Sequence, residues 1–353
     1  MLTRFKGVRI AGISVVVPRN VSRYDDEIAN YDHTPAKARK LKLVMGYDQH
    51  RVAEPGTCTS DLVVAGIRRL EEQGDLRLDE VDALVFVSQT PDYVLPPTSS
   101  VLHGTLGLRE DAYCVDINSG CSGYSLGLMQ AFMLLQQEGV EKVLLCAGDL
   151  LSARISPNDR NSYPLTGDAA SITLLEKSSD DDVIWSAMMN RGAMHEALII
   201  PAGGARLPSS EETKVPFRDA DGNVRSQEQL YMAGADVFNF TQSAVPDLIN
   251  EVLERSGTSK EEVDYFFLHQ ANDFIVKKLA ERLEVPLAKV PHGIVGKYGN
   301  SNSATIPITI CTALPDGPQE PLNVVMCGFG VGLSWGAVQM KLSKFDFCSI
   351  VEY

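Results

Sequence analysis

The chain has 353 residues, 44% of them hydrophobic, enough to bury one large core or two fused medium ones. Its formal net charge of −14 argues against nucleic acid or an anionic membrane surface as the main partner, because both need a basic footprint. An anionic ligand would have to be met by local groups.

The opening stretch Met1-Leu-Thr-Arg-Phe-Lys-Gly-Val-Arg-Ile-Ala-Gly-Ile-Ser-Val-Val-Val-Pro combines charge with an apolar run. Val8 to Val17 is short and β-branched, and no run reaches the roughly 18 residues of a membrane span. It reads as a first strand in a cytoplasmic protein. Cysteines at 58, 114, 121, 146, 311, 327 and 348 are odd in number and show no C-x-x-C spacing, so free thiols are expected. Further along, short β-branched runs alternate with segments of helical period, the pattern of an α/β sheet.

Asp116-Ile-Asn-Ser-Gly-Cys121-Ser-Gly-Tyr-Ser-Leu-Gly-Leu-Met-Gln-Ala-Phe-Met-Leu-Leu begins as a strand end and becomes a helix of amphipathic character. Ser119, Gly120, Ser122 and Gly123 place Cys121 in a tight turn at the helix N-terminus, where free N–H groups and the positive dipole end favour a thiolate. Cys114, Cys146, Cys311, Cys327 and Cys348 lie in apolar runs or a tail and read as small buried hydrophobes.

Two runs recur. Val81-Asp-Ala-Leu-Val-Phe-Val returns as Val263-Asp-Tyr-Phe-Phe-Leu-His, and Lys142-Val-Leu-Leu-Cys-Ala-Gly as Asn323-Val-Val-Met-Cys-Gly-Phe, at offsets of 182 and 181 residues. A near-constant offset with preserved order predicts an internal duplication. The halves would span 1–177, with the Cys121 turn, and 230–353. The turn-rich stretch 178–229 would run between them over the surface without a core of its own.

In the second half His269 ends an apolar run and precedes a helix over Asp273 to Leu283. Gly299-Asn300-Ser-Asn-Ser-Ala-Thr305 is a small-residue turn into an apolar helix, near the repeat position of the Cys121 turn, so both helix starts would face one cleft. Asn300 there suits a helix cap or a chemical role equally. Gly328-Phe-Gly-Val-Gly-Leu-Ser-Trp-Gly336 follows the strand Leu322 to Cys327, but Leu333 to Leu342 alternates as a strand, which excludes a dinucleotide-binding turn. A glycine turn between strands lets backbone N–H groups approach a ligand, or is a plain hairpin.

The set D-I-N-S-G-C-S-G, H-Q-A-N, Y-G-N-S-N-S-A and G-F-G-V-G-L-S-W-G, with Thr166-Gly-Asp-Ala-Ala and Met232-Ala-Gly-Ala-Asp-Val-Phe, resembles β-ketoacyl-acyl-carrier-protein synthase III over nearly the whole chain. The resemblance implies a thiolase-like α/β fold of two duplicated halves in five layers, α-β-α-β-α, and an intimate homodimer. It implies Cys121 as the acyl-accepting nucleophile, with His269 and Asn300 holding the carbonyl of a malonyl-type thioester. The enolate formed as CO₂ leaves would then attack the acyl-cysteine. Backbone N–H groups of Cys121 and Val331 would form the oxyanion hole, Val331 standing where the family usually has glycine.

Arg160, Asn272, Phe274 and Leu95 are the implied substrate-binding positions, Leu95 lining an acyl pocket from the partner subunit. Lys40, Val44 and Phe274 replace family residues that contact coenzyme A, while Arg160 is preserved, which weights a carrier-bound or longer acyl donor over free acetyl-CoA. Lys277, Lys278 and Arg282 form a local basic patch on one helix, either a solvated face or a dock for an acidic carrier protein. Acyl-CoA or acyl-carrier-protein thioesters would be substrates, with no bound cofactor and no metal. Acyl transfer to an oxygen or nitrogen nucleophile, and a non-catalytic partner subunit, are the other functions compatible with this scaffold. A thiolase proper would need its second cysteine at Gly328, and Cys327 is one residue off, on the opposite strand face.

Overall fold

The computed structural model describes residues 1–31 and 33–353. In chain order the framework comprises β1 (Leu2–Phe5), β2 (Val8–Val17), α1 (Thr59–Gln73), β3 (Ala83–Val87), α2 (Thr98–Leu106), β4 (Tyr113–Ile117), α3 (Gly123–Leu135), β5 (Lys142–Asp149) and β6 (Ala169–Lys177). It continues with β7 (Ile184–Asn190), α4 (Gly234–Ser256), β8 (Tyr265–Leu268), α5 (Asp273–Leu283), α6 (Thr305–Ala313), β9 (Leu322–Gly330), β10 (Ser334–Leu342) and β11 (Phe347–Glu352).

Two sheets carry the duplication. The first has the order β11-β2-β6-β5-β3-β4 and the second β1-β7-β10-β9-β8. In the first, β2 runs antiparallel to β6, β6 antiparallel to β5, and β5 parallel to β3. The second repeats this, with β7 antiparallel to β10, β10 antiparallel to β9, and β9 parallel to β8.

Three apolar clusters separate five layers. Leu62, Val63, Ile67 and Leu70 of α1, with Leu102 and Leu106 of α2, cover the outer face of the first sheet. Phe240, Val245, Leu248 and Val252 of α4, with Val276 and Leu279 of α5, cover the outer face of the second. Between the sheets, Tyr124, Leu128 and Phe132 of α3 and Ile306, Ile308 and Ile310 of α6 join inner-face residues of both. The layering is therefore α-β-α-β-α. Helix α3 is less amphipathic than expected, because with a sheet on either side it has almost no polar face to present.

The stretch 178–229 also departs from expectation. It contains β7, whose Ile184, Ala187 and Met188 are buried and which pairs with both β1 and β10. Ile-Trp-Ser-Ala-Met-Met-Asn has few β-branched residues and lies between polar segments, so its strand character comes from tertiary pairing. Beyond it, loops are held by the short ladders Leu198–Ile199 with Tyr231–Met232 and Phe217–Arg218 with Val224–Arg225. The ends of the framework are exchanged: β1 pairs into the second sheet, and β11 pairs in parallel with β2 in the first.

Candidate active site

Cys121 sits between the end of β4 and the start of α3, in the middle of the molecule. Glycines let the second half approach it. A Cβ on Gly330 would lie 2.8 Å from the Cys121 Sγ, and one on Gly328 would lie 2.7 Å from its carbonyl oxygen. Cys327, on the other strand face, packs into the outer cluster instead. Only 6% of Cys121 is exposed, and burial pushes its thiol up to about 12. The N–H groups of Val331 and of Cys121 itself draw it down, and the charge of Asp149 pushes it up. The thiolate expected from the helix start is thus not the resting form, because desolvation outweighs the dipole. The left-handed residue of the turn is Gly332, at φ 135°, while Val331 keeps an ordinary negative φ.

His269 follows β8 and is buried, with its Nδ1 2.7 Å from Thr305 Oγ1 and its ring edge-on to Phe329 at 5.2 Å. Burial lowers its pKa to about 3, so the imidazole is neutral. The Thr305 hydroxyl also lies 2.8 Å from the Asn302 carbonyl. Aimed at that carbonyl, it accepts Nδ1–H and leaves the Nε2 lone pair free; aimed at Nδ1, it leaves Nε2–H as a donor.

Asn300 is fixed through its backbone. Its N–H donates to the Leu165 carbonyl at 2.7 Å, and its carbonyl accepts from Gly167 N–H at 3.0 Å. The Asn302 N–H donates to Asn300 Oδ1 at 3.0 Å, which leaves the Nδ2 donors for the cavity. It is not a helix cap, since α6 begins after Ala304. Asn302, at φ 52°, accepts from the Cys121 thiol through Oδ1 at 3.4 Å and donates through Nδ2 to Asp149 at 3.1 Å.

Cys121, His269 and Asn300 all line a cavity of 560 Å³ whose walls also include Arg160, Asn272 and Phe274. A second cavity of 250 Å³ is lined by Cys121, Asn300, Asn302, Val331 and the apolar Leu198, Ile199 and Leu230. Cys121 stands at the junction of the two.

The remaining predicted positions divide. Arg160 reaches the first cavity with its guanidinium held by the Asp221 carbonyl, and Phe274 stacks on Phe238 at 5.6 Å. Asn272 also caps α5, its side chain accepting from Ile275 N–H at 2.9 Å. Leu95 is 80% exposed, on a loop with Tyr93 and Val94, and lines neither of the two cavities. The basic patch is partly neutralised within α5: Lys277 pairs with Asp273 at 2.5 Å and Lys278 with Glu281 at 2.6 Å. Lys278 and Arg282 line a separate surface groove with Phe238 and Gln242. Thr305, Asn302 and Asp149 were not singled out from the sequence. Asn302 carried a signal, since it follows Cys121 by 181 residues, the repeat offset.

Residues 115–192 match the family described as 3-oxoacyl-[acyl-carrier-protein (ACP)] synthase III, and residues 253–342 match its C-terminal family. A putative 3-oxoacyl-[acyl-carrier-protein] synthase 3 of Campylobacter jejuni is 32% identical over 100% of this chain and 99% of its own. A beta-ketoacyl-[acyl-carrier-protein] synthase III of Rhodopirellula baltica is 31% identical over 95% of this chain and 99% of its own. The crystal structure of a 3-oxoacyl-(acyl-carrier protein) synthase from Burkholderia xenovorans LB400 superposes with a TM-score of 0.91 at 36% identity, covering 100% of this chain and 99% of that one. With its motifs, its two-sheet framework and full-length similarity in agreement, the chain belongs to the 3-oxoacyl-[acyl-carrier-protein] synthase III family of thiolase-like condensing enzymes.

Proposed function

We propose that this condensing enzyme joins a Cys121-bound acyl group to a malonyl-type thioester by decarboxylative Claisen condensation. The observation that carries the reading is the shared cavity: a nucleophilic thiol, a neutral imidazole and a free carboxamide donor face one space. In the first half-reaction the Cys121 sulfur attacks the donor thioester carbonyl. Its proton passes to the His269 Nε2 lone pair and on to the departing thiolate. The N–H groups of Cys121 and Val331 hold the oxyanion.

In the second half-reaction the extender loses CO₂, and the electron pair of that C–C bond becomes an enolate. Asn300 Nδ2–H and His269 Nε2–H hold its oxygen, each worth on the order of 3 kcal/mol. The enolate carbon then attacks the acyl carbonyl, the C–S bond breaks with the electron pair leaving on the Cys121 sulfur, and that thiolate takes a proton from solvent. The two half-reactions call for the two tautomers of His269 in turn, and the Thr305 hydroxyl can serve either. The 560 Å³ cavity suits a pantetheine arm, of coenzyme A or of a carrier protein, passing Arg160, Asn272 and Phe274. The apolar 250 Å³ cavity suits the acyl chain. Lys278 and Arg282 beside the mouth suit an acidic carrier, and a second copy of the chain is the partner proposed for the exposed loop at Leu95.

Intact mass spectrometry after incubation with a panel of acyl thioesters tests the reading. The wild type is expected to gain one acyl group and to lose it, with release of a β-ketoacyl product, on addition of a malonyl thioester. Cys121→Ala is expected to gain none. Acylation followed by release to an alcohol or amine instead would replace condensation with simple acyl transfer.

A further inference from the structure

Asp149 is a fully buried carboxylate at the end of β5, and the condensation just described makes no use of it. Its Oδ1 accepts from the Gln89 N–H at 2.6 Å, the Ser88 hydroxyl at 3.0 Å and the Thr90 hydroxyl at 3.3 Å. Those donors come from the segment that follows β3 and leave Oδ2 for one further partner, the Asn302 amide at 3.1 Å. An ionised carboxylate only accepts, so it turns the Asn302 NH₂ toward itself and the Oδ1 toward Cys121. The thiol donates to that Oδ1 at 3.4 Å. A left-handed backbone at Asn302, which asparagine adopts more readily than most residues, sets the amide between the two groups.

We propose that Asn302, oriented by the buried carboxylate of Asp149, is a positioning residue for Cys121 that holds the S–H proton in place and keeps the nucleophile a thiol between turnovers. The proposal rests on Cys121 being the nucleophile, but it concerns the protonation of the sulfur rather than the reaction the sulfur performs. An acceptor facing sulfur stabilises S–H and opposes S⁻, and the nearby negative charge acts in the same direction. Burial holds Asp149 itself up to about 6, so the carboxylate is ionised at neutral pH. The backbone N–H groups of Val331 and Cys121 oppose the clamp, and the neutral His269 lines the same cavity.

The test measures alkylation of Cys121 by iodoacetamide as a function of pH, read by intact mass against a Cys121→Ala background. In Asn302→Ala and in Asp149→Asn the midpoint of the alkylation profile is expected to fall by about one pH unit, with several-fold faster alkylation at pH 8. Easier access alone would raise the high-pH plateau and leave the midpoint in place. Asn302→Ala carries the test if Asp149→Asn does not fold, as judged by circular dichroism. An unchanged or raised midpoint in folded Asn302→Ala overturns the clamp. Failure of the wild type to take up any acyl group would instead overturn the proposed function, so the two outcomes are separable.

Discussion

At the residue scale, burial decides the chemistry of the site. Cys121 and His269 are both held in their neutral forms, the thiol up at about 12 and the imidazole down at about 3. The histidine has a consequence for stability. Its folded pKa lies below its unfolded value, so the unfolded chain binds a proton that the folded one refuses. Stability from this group is intact above pH 6.5 and falls as pH drops from there toward 3, by about 1.4 kcal/mol per pH unit. Thermal melts of His269→Gln between pH 7 and 4 are expected to show a shallower acid decline than the wild type. Catalytically, His269→Ala and Asn300→Ala are expected to lower condensation by about 100-fold or more, while Asn300→Ala still accepts the acyl group. Mass spectrometry of the acyl-enzyme, run beside the product assay, separates these steps. The glycine-flanked turn singled out Cys121 in the sequence but said nothing of its burial, because a helix start is visible in sequence and the sheet lying over it is not.

At the element scale, the strand ends of one half are built to meet the helix starts of the other. The end of β9 crosses the Cys121 turn through Gly328 and Gly330, and the Asn300 backbone bonds to Leu165 and Gly167 of the first half. Gly330→Ala places a methyl carbon against the Cys121 sulfur and is expected to abolish acylation in a protein that still folds. Mass spectrometry with circular dichroism checks both outcomes. Several of these elements were legible: β2 over Val8–Val17 and α5 over Asp273–Leu283 follow the β-branched run and the helical period to the residue. Two were not. The period of α3 understated its burial, since contact with two sheets leaves little face for polar residues. β7 carries too little β-branched character to stand out beside the Asp-rich segment before it.

At the scale of the whole molecule, the internal repeat was the most informative sequence feature. The recurring runs became β3 and β8, β5 and β9, in equivalent places of equivalent sheets. The same offset separates Cys121 from Asn302, so the thiol and the amide that faces it occupy related helix starts. What the repeat could not reveal is which apolar residues stay exposed. Tyr93, Val94 and Leu95 project from the loop before α2, with Val94 fully exposed, and β4 forms the nearby edge of the first sheet. The second copy of the chain proposed above as the partner of this loop would cover these apolar side chains. If that partner is a second copy, Val94→Asp with Leu95→Asp is expected to convert a dimer into a monomer by sedimentation, with loss of activity if the acyl pocket is completed across the interface.

The exchange of the outermost strands bears on how such a chain folds. β2 and its neighbour β11 lie 335 residues apart along the chain at the Ser14–Ser349 hydrogen bond. Until β11 docks, one edge of β2 stays unpaired. A pairing of that sequence separation carries a high loop-closure cost and slows the folding of this sheet.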